Sequence, residues 1–394
     1  MDATKTITHD WRDILRAFKM AFDPKKVLLG YFGLLASMAW CFVVISFFSS
    51  VKMISASPTF VISLVCRSLR EGVPFLARNV LSTLSPMDFG EFFVLVVLVV
   101  GLLVIWAMVG GAITRIAALD FARDESIRMV DAWRFARKKL FSYFWSPLVP
   151  LIGVFFLAFC NVIGGLFGRI PVLGELFIAL AFPFAIVSGF LMVFIGVIGT
   201  LGTCFMFPTI SVEGSDAFDA MSRAYTYVIS RPKKFFWYYA VNAAYGFLCL
   251  AFVSFVAWLM IHIAFLTVGI GMGEKFNAVQ GYILQKCTIA CLGFCTRYSP
   301  HADAAPVLLD SWSLKFLAYM LMVYIVLIKL AVWTFLTTYV FSSKTIIYFL
   351  LRKDIDNTVV ADVHLEEVQL EPAAAPALEK KTEPESTNRN EPEG

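Results

Sequence analysis

Apolar residues form six long runs along this chain, near residues 27–49, 91–113, 144–167, 176–208, 235–268 and 313–342. A bilayer-spanning helix takes about 20 residues, so each run is long enough to cross. Polar and charged residues gather between the runs. Several runs exceed what a bilayer needs and must tilt, kink or project beyond the lipid. Pro183 offers a kink in the fourth. The Gly-rich step "GVIGTLG" at 196–202 lets helix backbones approach closely.

A helical period also precedes three of the runs. Trp11, Ile14, Leu15, Phe18 and Phe22 fall on one face before the first. Phe218, Met221, Tyr225, Val228 and Ile229 do so before the fifth, and Met129, Trp133, Ala136 and Leu140 before the third. This spacing predicts amphipathic helices lying at the membrane surface. Asp10 and Ser215 stand where N-caps belong. Two of these helices end at Pro-Lys-Lys, at 24–26 and 232–234; the middle one ends at Lys138-Lys139 without the proline. Proline breaks the helix. Lys25, Lys26, Lys138, Lys139, Lys233 and Lys234 are expected to anchor at anionic headgroups.

The expected fold is therefore all-α: a polytopic membrane protein of about six transmembrane helices with cytoplasmic interfacial helices. It divides into three units, 8–120, 121–212 and 213–353, each an interfacial helix, a basic hinge and two spans. Two spans per unit keep all copies in one orientation, as in parallel repeats. The alternative is convergence, since any interfacial helix feeding a span wants aromatics, a break and lysines.

Composition agrees. The chain is 59% hydrophobic with 39 phenylalanines and a mean hydropathy of +0.76, more apolar surface than a soluble domain can hide. The net charge of +4 conceals a split. Residues 354–394 hold 11 acids and three bases, whereas 1–353 holds 30 bases and 18 acids. The membrane domain is thus 1–353, and 354–394 is expected to be a disordered acidic tail. Lys25-Lys26, "VLLGYFGLL" and "ASMA" loosely imitate a signal peptide, but the apolar run continues to Phe48, so the segment is expected to be retained. With the N-terminus inside, inner segments hold 20 bases and outer loops 8, which puts both termini in the cytoplasm.

The stretches "RIAALDFARDESIRMVDAWRFARKKLFSYFWSPLVPL" (115–151), "GSDAFDAMSRAYTYVISRPKKFF" (214–236) and "KTIIYFLLRKDIDNT" (344–358) resemble uncharacterised multi-pass membrane proteins of planctomycete-type bacteria. The resemblance covers about a fifth of the chain. It implies a bacterial inner-membrane protein and carries no activity and no site residues.

Enzyme motifs are absent: no phosphate-binding Gly-Lys-Ser/Thr loop, no GxSxG elbow, no HExxH. The four histidines do not cluster in sequence, and no cofactor is expected. The basic hinges sit at the membrane and do not imply nucleic acid. Cys66, Cys287, Cys291 and Cys295 fall in outer loops, the last three at one-face helical spacing. They read as disulfides in an oxidising compartment, as a metal site with His301, or as small apolar residues. Lys329 lies about 21 Å of helix from both Lys315 and Lys344, near the bilayer centre. A charge there is a functional candidate, and the plain alternative is a lysine that snorkels or bonds helix carbonyls. Asn161, Thr203, Asn242 and His262 are span polars expected to hold helices together.

The expected function is a non-enzymatic scaffold or partner-binding membrane protein, with partners engaged through the outer loops 51–90 and 269–312 or the acidic tail. A transporter or channel built around Lys329 is the alternative. A periplasmic thiol–disulfide protein is the third, weakened by the lack of Cys-x-x-Cys.

Overall fold

The structure, a computed structural model, describes residues 10–51, 89–286 and 311–364. All its regular elements are helical. A 3-10 turn at Trp11–Leu15 leads into α1 (Arg16–Ala21). Asp23 then accepts the Lys25 backbone N–H at 3.0 Å, and Pro24 opens α2 (Pro24–Ser50). Proline fits there because the first turn of a helix has no partner for its missing N–H. The second span is α3 (Phe89–Arg123). Two short helices, α4 (Met129–Lys138) and α5 (Leu140–Trp145), precede the hairpin α6 (Leu148–Phe167) and α7 (Leu173–Glu213). Interfacial helix α8 (Ala217–Ser230) precedes α9 (Pro232–Met272), α10 (Glu274–Lys286) and α11 (Trp312–Asp356).

The cap of α8 is Asp216, whose carboxylate accepts the Asp219 N–H at 2.9 Å, and not Ser215 as expected from sequence. Gly214 closes α7 in the left-handed region, at φ 66°, so the chain turns one residue early. The extended residue facing the start of α8 is then Asp216.

Helices α2, α3, α6, α7, α9 and α11 are long and apolar enough to cross a membrane. They pack as the hairpins α2–α3, α6–α7 and α9–α11. The second span of each hairpin touches the other two second spans, α3 on α7, α7 on α11 and α11 on α3. The interfacial helices follow the same rotation. Helix α4 lies on α3, α8 lies on α7, and α1 lies on α11, the span farthest from it in sequence. That last contact closes the circuit.

The faces that the interfacial helices bury against the protein overlap the expected apolar faces in part: Ile14, Ala136 and Val228 belong to both. Trp11, Leu15, Phe22, Trp133, Phe218 and Ile229 are exposed. Buried are Ile14, Ala17, Met20 and Ala21; Ala132, Phe135 and Ala136; and Ala220, Ala224, Tyr227 and Val228. Each helix thus turns an Ala-x3-Ala pair to the protein, because small residues let two helix axes approach. Trp11, Phe22, Trp133 and Phe218 face outward, since aromatic residues tolerate a half-apolar surround, while Phe135 and Tyr227 pack inward. The same close approach recurs at Gly246, where a Cβ would lie 2.6 Å from the Tyr339 ring.

Helices α7, α9 and α11 have 41, 41 and 45 residues, roughly 60–68 Å, against a hydrocarbon layer of about 30 Å. Burial concentrates at the end near the interfacial helices: Ile198–Val212 of α7 and Thr334–Arg352 of α11. Toward the other end side chains such as Leu180, at 80%, stand exposed. Among the described residues up to Val363, packing concentrates in a body at the end near the interfacial helices, hereafter the basic face, and the apolar helices extend from it.

The body extends past the expected boundary at 354. Helix α11 runs to Asp356 and is closed by Asn357 in the left-handed region. A strap then folds back, burying Val360 and Val363 in the core. Arg123 donates to Ala361 O at 3.1 Å and Arg352 to Asp362 O at 2.7 Å. Two buried valines outweigh the local acidity that made this segment look like tail. Residues 365–394, the rest of the expected tail, lie outside the described residues. Truncation after His364 is expected to leave the melting temperature unchanged. Val360→Ala and Val363→Ala should each cost about 2 kcal/mol in detergent unfolding. Equal stability of those variants and wild type would show that the strap does not pack.

Candidate functional site

Each Lys-Lys pair sends its second lysine to the end of its own unit's second span. Lys26 is fully buried and its Nζ lies 2.8 Å from Asp120 near the end of α3. Lys139 donates to Gly214 O, the residue that closes α7. Lys234 lies 2.6 Å from Asp354 at the end of α11. A lysine at a helix C-terminus also meets the negative end of the helix dipole. Lys25 adds bonds to Ser126 Oγ at 2.6 Å and Ile127 O at 2.8 Å. Lys26, Lys139 and Lys234, expected at headgroups, are therefore clamps within the chain. The physical reason is reach: the long apolar stem lets the ammonium bridge to a neighbouring helix end. Lys138 and Lys233 remain exposed.

Inside the body two polar groups join the second spans. Thr114 of α3 and Ser211 of α7 have hydroxyls 2.6 Å apart, and Tyr143 of α5 places its hydroxyl 2.7 Å from the same Ser211. Arg115 donates to Ser211 O at 2.5 Å and lies over the Phe135 ring at 4.2 Å. The second group centres on Glu213. Tyr348 donates to it at 2.6 Å, Arg223 approaches at 2.9 Å and Arg352 at 3.3 Å. The two arginine approaches are ionic contacts rather than aligned hydrogen bonds, since neither Glu213 Oε2 nor Arg352 Nε has a hydrogen-bond partner. Tyr227 donates to Asp356 at 2.5 Å. Burial pushes the Tyr143 and Tyr227 phenols above their ordinary range, and the Asp356 charge adds to the effect at Tyr227. Both stay protonated at neutral pH. Sequence reading missed these acids. The available signal was that each second span ends near a carboxylate: Asp120, Glu213 and Asp354.

Lys329 lies in α11 and is 7% exposed. The hydroxyls of Thr334, Thr337 and Thr338, which follow it along α11, donate to carbonyls of their own helix, and Thr338 also to Ala21 O at 3.1 Å. Of the other span polars, Asn161 accepts from Ser188 of α7 at 2.8 Å and Asn242 from Tyr339 at 2.9 Å, each joining two helices. Thr203 bonds its own helix and His262 stacks on Trp258. Among the described residues Cys41, Cys160, Cys204 and Cys249 are free thiols, and no three His, Cys, Asp or Glu side chains gather as a metal set would. Cys66, Cys287, Cys291 and Cys295 lie outside the described residues.

Six long apolar helices among the described residues, exposed along much of their length and joined through polar groups at one end, define an integral multi-pass α-helical membrane protein. No protein-family model, curated protein or solved structure matches the chain.

Proposed function

We propose that this chain is a non-enzymatic scaffold of a bacterial inner membrane, with its basic face and both termini cytoplasmic. One observation carries the reading. Many polar side chains of the body bond across helices or back to helix carbonyls, as in Lys26–Asp120, Thr114–Ser211, Tyr339–Asn242 and the Glu213 cluster. Groups so engaged lock spans together, whereas a conduit needs polar groups that exchange with a solute. Partners would engage the outer segments 51–90 and 269–312 or the acidic tail. The buried ammonium of Lys329 favours the second reading, a transporter or channel.

Lys329→Met separates the two, since it removes the charge and keeps the length. For a scaffold, the variant still folds and inserts. Neither form then passes Na⁺, K⁺, Cl⁻ or protons in proteoliposomes. A wild-type ion flux that vanishes in a stably folded variant would overturn the scaffold reading.

A further inference from the structure

Helix α4 presents a cluster of exposed cations on the basic face. Arg134, Arg137 and Lys138 are all exposed on α4. Asp131 on the same helix lies 2.8 Å from Arg128 and 3.7 Å from Arg134, so Arg128 takes up most of its charge. The opposite face of α4 is filled by the span, with Ala132 and Ala136 packed among Leu29, Val109, Ile113 and Ile116.

The exposed face is not simply basic. It carries Val130 and Trp133, and α5 continues it with Phe141 at 75% exposure and Trp145 at 44%. Span α6 begins three residues later, and its Leu151 and Phe155 are exposed as well. A helix facing water would not show these aromatics. A helix facing acyl chains would not carry three cations. The mixture suits the layer where phosphates meet the first methylenes, with guanidinium forks outward and indole rings below them.

We propose that the α4–α5 elbow is a docking surface for anionic phospholipid headgroups, held by Arg134, Arg137 and Lys138 and flanked by Trp133, Phe141 and Trp145. The occupant is a lipid rather than free phosphate because the aromatic half of the surface has no use for a soluble anion. Continuity with α6 also places the elbow where that span enters the bilayer. This rests on the membrane reading and not on the choice between scaffold and conduit.

The test uses the full chain in nanodiscs of phosphatidylcholine alone or mixed with phosphatidylglycerol. Melting temperature and retained lipid, by native mass spectrometry, are read for each. Wild type is expected to melt higher in the mixed discs and to retain phosphatidylglycerol, and raised salt should shrink the difference. The combined variant Arg134→Gln, Arg137→Gln, Lys138→Gln should match wild type in phosphatidylcholine, lose the phosphatidylglycerol increment and retain little of that lipid. Lys139→Gln, which breaks a clamp, should melt lower in both discs and keep the increment. An increment that survives the combined variant places the lipid elsewhere and overturns the proposal. So does a combined variant already unstable in phosphatidylcholine, or an equal increment from inorganic phosphate added to phosphatidylcholine discs. Failure of wild type to enter discs at all would instead count against the membrane reading.

Discussion

Replacing Glu213 with Gln is expected to destabilise the protein by about 3–5 kcal/mol. The change keeps shape and removes the charge that Arg352 needs. The Glu213 and Arg352 side chains are each 9% exposed, so water cannot take over solvation of the guanidinium. The Arg352 contact to Asp362, at 3.6 Å and on an exposed carboxylate, offsets little of the loss. Single variants should rank in a definite order. Arg352→Met should partly rescue Glu213→Gln, because the orphaned charge goes with it. Arg223→Met should not, since Arg223 is 44% exposed and is solvated either way. Tyr348→Phe should cost about 1 kcal/mol, the worth of one hydrogen bond. Denaturant unfolding in detergent measures each. A Glu213→Gln protein as stable as wild type would mean that the cluster does not hold α7 to α11.

Asp120→Asn is expected to cost about 3 kcal/mol, because it strands the buried Lys26 ammonium near the end of α3. Asp23, a longer ion pair at 3.9 Å, offsets only part of the loss. Lys26→Met in the same chain should recover most of the loss, giving a large coupling in a double-mutant cycle. The equivalent experiment at Lys234 and Asp354 should give a smaller coupling, since Lys234 is 47% exposed. Additive effects at Lys26 and Asp120 would rule out the clamp.

The six spans could be read from the amino-acid order because lipid imposes one demand, a long apolar run, that needs no knowledge of neighbours. The interfacial helices were found by period, but the period did not show which part of each apolar face packs on the protein. Hydrophobicity is dominated by Trp11, Phe22, Trp133 and Phe218, whereas packing against a span selects Ala17, Ala132 and Ala224. In water the larger residue goes inside; beside a bilayer it has two apolar places to go. The hinge lysines were visible as charges at span starts, but the partner of Lys26 lies 94 residues away in sequence. The strap failed for the opposite reason. Val360 and Val363 sit among acids that suggest disorder, and only their contact with the body shows that they pack.

Sided labelling tests this arrangement most directly. In a cysteine-free background, single cysteines replace Arg137 and Lys233 on the basic face, and Arg169 and Lys275 at the far turns, all exposed positions. A membrane-impermeant maleimide is applied to spheroplasts and to inverted vesicles of a bacterial host. The account predicts labelling of positions 169 and 275 in spheroplasts and of 137 and 233 only in inverted vesicles. Positions 137 and 169 labelled from the same side would contradict the six-span body with its interfacial helices on one cytoplasmic face.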